Sequence, residues 1–131
     1  MGVADTQTAL WHLLGDDRLS VFASLFLEET DRRGGKIAVS SISLVEIVYL
    51  VDQRRVPLAA YLELVSALAD PEHLLTEQVL SAQVAERMRG VSRDEVPDMP
   101  DRIVAATGIY LAVPVISRDG KIRGAHLTTI W

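Results

Sequence analysis

The sequence predicts an α/β fold, with a central parallel sheet covered by helices on both faces. Short apolar segments alternate with longer amphipathic ones from end to end, and residues 113–117 (VPVIS) form an unbroken apolar run of the kind that is buried on both sides. Length agrees: 131 residues, 49% of them hydrophobic and 24% charged, suit one globular unit with a real core. Residues 1–131 are therefore expected to make a single domain, without repeat or linker.

The elements follow in order. Residues 1–4 read as a short first strand. Residues 6–14 read as a helix with Ala9, Leu10, Leu13 and Leu14 on its apolar side, stopped by Gly15. A second helix fits residues 20–33, with Val21, Leu25 and Glu28 along it, ending at Gly34 and Gly35. Residues 36–40 (KIAVS) have strand composition and lead to Ser43, which can cap a helix running to about residue 54. Residues 57–69 form a helix with Leu58, Tyr61, Leu62, Val65 and Leu68 at helical spacing, ended by Asp70 and Pro71. A short strand at 74–76 and a helix at 79–88 closing at Gly90 come next. Residues 101–112 are helical and apolar nearly all round, so they should lie against the centre of the fold. The strand 113–117, a turn at Arg118-Asp119-Gly120 and a final strand at 127–131 complete the chain.

Composition excludes several classes. No apolar run approaches the roughly 20 residues of a membrane span, and the N-terminus lacks the basic start and apolar centre of a signal peptide. With no cysteine, disulfides and zinc-thiolate sites are out, so a cytoplasmic protein is expected. A net charge of -5 argues against nonspecific coating of nucleic acid but not against a nuclease whose acids bind cations. The arginine clusters at 32–33, 54–55, 87–93 and 118–123 read as solvated faces. His12, His73 and His126 share no spacing and read as surface or satisfied core residues.

In parallel α/β folds, ligands bind beyond the carboxyl ends of the strands. Asp5 directly follows the first strand, Asp119 follows VPVIS after two residues, and Glu46 sits in the first turn of the helix after KIAVS. Asp101 opens the helix that leads back into VPVIS. Singly, each has a structural explanation. Glu46 completes a capping box with Ser43, Asp5 and Asp101 suit helix N-termini, and Asp119-Gly120 is a turn dipeptide. Jointly they put four acids on one sheet edge. Such a cluster is a hard-oxygen site suited to Mg2+ or Mn2+, which can activate water against a phosphodiester without a protein nucleophile.

The motifs Asp5-Thr6-Gln7-Thr8-Ala9-Leu10-Trp11, Ser41 to Ile47, Asp98 to Ala106 and Ile116 to Ile122, with the closing Thr129-Ile130-Trp131, occur in an order and spacing that resembles the PIN-domain ribonucleases, particularly the VapC-type toxins of bacterial toxin-antitoxin pairs. The resemblance covers nearly the whole chain and implies a three-layer α/β/α sandwich with an acidic pocket for Mg2+ or Mn2+. It implies Asp5, Glu46, Asp101 and Asp119 as the catalytic and metal-binding set. Ser117, as the hydroxyl supporting the last acid, and Thr6 stand behind that set, and Asp98 is an outer ligand or helix cap. Arg102 would pair with a carboxylate. Family members cleave transfer or ribosomal RNA, usually as homodimers, and are silenced by a VapB-like antitoxin that lies along the toxin. Trp11, Leu14, Phe22 and Phe26 would suit such a groove, or the core. Members commonly carry more residues before the first Asp than the four here. Two rival readings are a catalytically silent PIN-like binding module and a phosphoacceptor receiver domain. The intact acidic set opposes the first. The second needs an acidic pair directly after the first strand, and Asp16-Asp17 comes a helix too late.

Overall fold

The computed structural model describes residues 1–124 and 127–131. The expected alternation is present: β1 (Gly2–Ala4), α1 (Thr6–Leu14), α2 (Val21–Arg32), β2 (Ile37–Ser40), α3 (Ser41–Asp52), α4 (Leu58–Ala69), β3 (Leu75–Gln78), α5 (Ala82–Arg87), α6 (Met99–Leu111), β4 (Val115–Ile116), α7 (Gly120–Arg123) and β5 (Thr129–Ile130). A 3-10 turn, Met88–Gly90, extends α5. His126 lies outside the described residues.

All strand pairings are parallel, in the order β3-β2-β1-β4-β5. The chain runs outward from β1 through β2 to β3, then returns to the other side of β1 as β4. Strand order therefore reverses between β1 and β4, the place where open α/β sheets hold their ligands. Alternation along the strands separates two cores. Ala4, Ile37, Val39 and Ile116 face a cluster with Ala9 and Leu10 of α1, Ala23 and Leu27 of α2, and Ala60 and Leu64 of α4. Val3, Ala38 and Val115 face the other, with Ile103, Val104 and Ala105 of α6. Helices thus cover both faces of one parallel sheet, the fold class expected from the sequence.

Several local expectations are corrected. Helix α3 begins at Ser41 and is capped by Ser40, whose Oγ accepts from the Ile42 amide. Ser43 is buried inside the helix and caps nothing, so there is no capping box with Glu46. Helix α6 starts at Met99 rather than Asp101, because Asp98 caps it by accepting from the Asp101 amide at 3.1 Å. Helix α5 begins only at Ala82, capped by Ser81, and β3 starts one residue later than expected and extends to Gln78. The turn after β4 continues into α7, capped by Asp119.

Two helices turn a different face inward. In α2 the buried residues are Ala23, Leu27 and Thr30, while Val21 and Leu25 are exposed; in α4 they are Ala60, Leu64 and Ala67, while Leu58, Leu62 and Val65 are exposed. Leucine and valine occur around the whole of α4, so periodicity does not select a side, and alanines permit the closer approach to the sheet. Gly108 does the same for α6: a Cβ there would lie 2.6 Å from Val115 Cγ2. The missing side chain lets α6 sit close on β4 at this point.

Candidate active site

Asp5 is the first residue after β1 and the N-cap of α1. Its Oδ1 accepts from the Thr8 amide at 2.8 Å and its Oδ2 from the Ser117 hydroxyl at 2.5 Å. Ser117 is fully buried at the end of β4, and its Oγ accepts in turn from the Asp119 amide at 3.0 Å. One hydroxyl therefore ties the acid after β1 to the acid after β4, across the point where strand order reverses. Ser117 thus reaches the last acid only at its backbone amide, while its proton goes to the first.

Glu46 lies in the second turn of α3, not the first. Thr6 Oγ1, in the first turn of α1, donates to Glu46 Oε1 at 2.6 Å and stands 2.9 Å from the buried Ser43 Oγ, whose proton it can accept. The Ser43-x-x-Glu46 spacing thus serves a different purpose from a cap: both residues face Thr6. Asp119 Oδ1 accepts from the Lys121 amide at 2.8 Å.

Asp5, Glu46, Asp98, Asp101 and Asp119 line one cleft of about 240 Å³, together with Thr6, Gln7 and Val104. All four acids expected at the site are brought to it, and Asp98 joins them while capping α6. Among the described residues no three of the acids stand close enough, as arranged, to enclose an ion. The Asp101 and Asp119 carboxyls stand close enough to share a hydrogen bond, the others line the cleft around them, and charges so gathered repel.

That repulsion is visible in their proton affinities. Asp101 is pushed up to about 7, first by burial and then by the charges of Asp98, Asp119 and Glu46. Burial raises Asp5 above the usual carboxylate range, partly offset by the Ser117 hydrogen bond. Burial also raises Glu46, opposed by the Thr6 bond and reinforced by Asp98 and Asp5. Asp5, Glu46, Asp98 and Asp119 each keep a structural bond while lining a cleft crowded with negative charge. The donor set is all oxygen, and a hard divalent cation is what would relieve it.

Two other expectations resolve differently. Arg102 pairs with no carboxylate; its Nη2 donates to the Met88 and Val91 carbonyls at 2.8 and 3.0 Å, and its buried Nε has no partner among the described residues. The Met88 carbonyl also accepts from the Val91 amide at 3.0 Å, so Arg102 fastens the turn that follows α5. Trp11 is buried, while Leu14 and Phe22 are exposed and Phe26 is half-buried, so only some of the suggested groove residues are open to a partner. His73 Nδ1 accepts from the Leu75 amide, a structural role, and His12 is half-buried. Gln7 was not marked by the sequence: an exposed polar residue on a helix gives no signal until α1 is placed against the sheet edge.

The sequence pattern of the PIN domain family matches residues 3–125. The chain is 29% identical to Ribonuclease VapC22 of Mycobacterium tuberculosis, with 97% of this chain and 95% of that protein covered. Its fold is similar to that of a chain in the crystal structure of VapBC2 from Rickettsia felis bound to a promoter DNA fragment, with a TM-score of 0.70, 18% identity, and 98% and 97% of the two chains covered. A chain in a toxin-antitoxin complex from Klebsiella pneumoniae gives a TM-score of 0.67 at 19% identity, covering 100% of this chain and 97% of that one.

Proposed function

Because this chain belongs to the PIN domain family, we propose that it is a metal-dependent endoribonuclease toxin that hydrolyses RNA phosphodiester bonds with Mg2+ or Mn2+ and is restrained by a VapB-like antitoxin. The observation that carries this reading is the set of carboxylates lining one cleft, with Asp101 raised to about 7 by burial first and by its neighbours' charges second. Titratable groups perturbed by burial and by one another, gathered in a cleft, are a mark of a working site.

Asp5, Glu46, Asp101 and Asp119 would hold the cation, with Asp98 as an outer ligand. Glu46, Asp98 and Asp119 each commit one oxygen to the fold and keep the second for a ligand. Asp5 commits both, yet each carboxylate oxygen has a further lone pair. Closing on an ion would fall mainly to Asp98, Asp101 and Asp119, with Asp5 and Glu46 already held. A divalent ion so held supplies charge neutralisation at the phosphate and lowers the pKa of a water. Ser117 and Thr6 fix the orientation of Asp5 and Glu46, so that little reorganisation accompanies the reaction. No protein nucleophile is required.

Exposed Val21, Phe22 and Leu25 on α2 offer an apolar strip for an antitoxin, and Val45, Val48 and Tyr49 on α3 with Met99 offer another for a homodimer. No helix among the described residues is long and apolar enough to cross a membrane, in keeping with action on cytoplasmic transfer or ribosomal RNA.

The test is to incubate the purified protein with total cellular RNA in Mg2+ or Mn2+ and then in EDTA, beside Asp5→Asn and Asp101→Asn. Cleavage confined to the unmutated protein with metal is expected. Cleavage that survives EDTA, or that both variants retain, removes the proposed site.

A further inference from the structure

A ring of carboxylates can hold a cation at the scissile phosphate but repels the rest of a polyanion, so the flanking phosphates need cationic contacts of their own. Two cavities adjoin the acidic cleft on the α1 side. The nearer, of about 400 Å³, is lined by Gln7, Trp11, Arg18, Arg118 and Asp119, and so shares Gln7 and Asp119 with the cleft. The farther, of about 270 Å³, shares Gln7, Trp11 and Arg18 with it and adds Arg55. Together they form a trough that leaves the acids along α1.

The two arginines of the nearer cavity are held differently. Arg18 is oriented in advance: its guanidinium lies 5.1 Å over the Trp11 ring, and Nε and Nη2 fork onto Asp16 at 3.0 and 2.7 Å, leaving Nη1 and one planar face. Trp11 is braced from behind by Trp131, with ring centroids 5.9 Å apart. Arg118 is exposed and makes no ion pair among the described residues, whereas Arg32, Arg33 and Arg89 pair with glutamates on their own helices. It stands between Ser117 and Asp119, so the segment that positions the acid also positions the cation.

Resting on the ribonuclease reading above, we propose that Arg18 and Arg118 form an RNA-backbone subsite that holds the phosphate next to the scissile one in the cavity beside Asp119. A guanidinium fork matches phosphate geometry, and the stacked plane of Arg18 can also carry a base. RNA is favoured over an acidic protein because the trough opens into the cleft at Gln7 and Asp119, the path a continuous strand must take.

The experiment uses the full chain carrying Asp101→Asn, with Mg2+, and follows the anisotropy of a labelled mixed-sequence single-stranded oligoribonucleotide across a salt series. Adding Arg118→Gln is expected to weaken binding about tenfold and to flatten the log–log salt dependence by about 0.7 for one lost phosphate contact. Arg18→Gln should act alike, and Arg118→Gln, which breaks no internal contact, guards against a folding effect. Arg33→Gln, at the opposite edge of the sheet beside Met1 and Pro114, removes the same charge and should change neither quantity. Equal affinity in the arginine variants, an equal loss in Arg33→Gln, or loss of antitoxin affinity alone overturns the subsite. Cleavage of total RNA by the unmutated protein then separates the two failures: if it persists, the subsite alone is wrong; if it is absent, the ribonuclease reading falls as well.

Discussion

Ser117 Oγ donates to Asp5 Oδ2 at 2.5 Å, joining residues 112 positions apart in the chain across the junction of β1 and β4. The bond lowers the proton affinity that burial has raised in Asp5, and so favours the ionised form a cation needs. Ser117→Ala is expected to cut activity on the order of 10–100-fold, with a weaker Mg2+ dependence constant, as losses behind metal ligands do. A Mg2+ titration of cleavage rate checks this, and an unchanged titration curve would show that Asp5 needs no such support.

Thr6→Val removes the donor to Glu46 Oε1 while keeping the side-chain shape, and strands the buried Ser43 hydroxyl. A loss of about 1–2 kcal/mol in stability is expected, with a fall in activity. Thr6→Ser should restore both. Denaturant unfolding beside a cleavage assay gives the comparison, and the prediction fails if serine does no better than valine.

Asp101 sets a pH dependence whose sign can be worked out. Its folded pKa, about 7, lies above the 3.8 of a free aspartate, so between these values the folded state binds more protons than the unfolded one. Stability of the metal-free protein therefore falls as pH rises from about 4 to 7, and the raised Asp5 and Glu46 act in the same direction. Melting temperature without metal should rise on acidification through this window, and Mg2+ should stabilise more at pH 8 than at pH 5. A flat profile in EDTA would contradict the proposed crowding.

By the same reasoning, Asp101→Asn should abolish cleavage yet stabilise the metal-free chain at pH 8, by about 1 kcal/mol. A variant that is inactive and less stable would instead mark Asp101 as structural.

Gly108→Ala would press a methyl into Val115 Cγ2, displacing α6 from β4. A cost of about 1–3 kcal/mol is expected from such overpacking. Ala112→Gly should have the opposite sign: Ala112 closes α6 at a φ of 55°, a left-handed conformation that glycine adopts freely, for a gain of about 0.5–1 kcal/mol. Chemical denaturation of the two variants measures both.

The parallel sheet and the acids at its edge were legible because buried strands and strand-end acids carry local signals: VPVIS announces β4, Asp5 follows β1 directly, and Asp119 comes after β4 with two residues between. The cap of α3 was not. Ser40, Ser41 and Ser43 are equally good caps by type, and only the position of β2 decides that the helix starts at Ser41, which moves Glu46 into the second turn against Thr6. The buried faces of α2 and α4 were likewise hidden, since apolar residues surround α4 and the choice of Ala60, Leu64 and Ala67 depends on how closely the sheet is approached. Arg102 was misread because helix-end carbonyls leave no trace in a sequence as acceptors.

Asp5 is at once the acid nearest the strand junction and the cap that starts α1, and this has a consequence for how the activity can be lost by inheritance. A change at Asp101 removes a crowded charge and leaves a folded chain whose exposed apolar helices still compete for any partner of the active form. A change at Asp5 also releases the Thr8 amide and the Ser117 hydroxyl, both buried. The first kind of null allele would act dominantly by titration, whereas the second, by also weakening the fold, would titrate less.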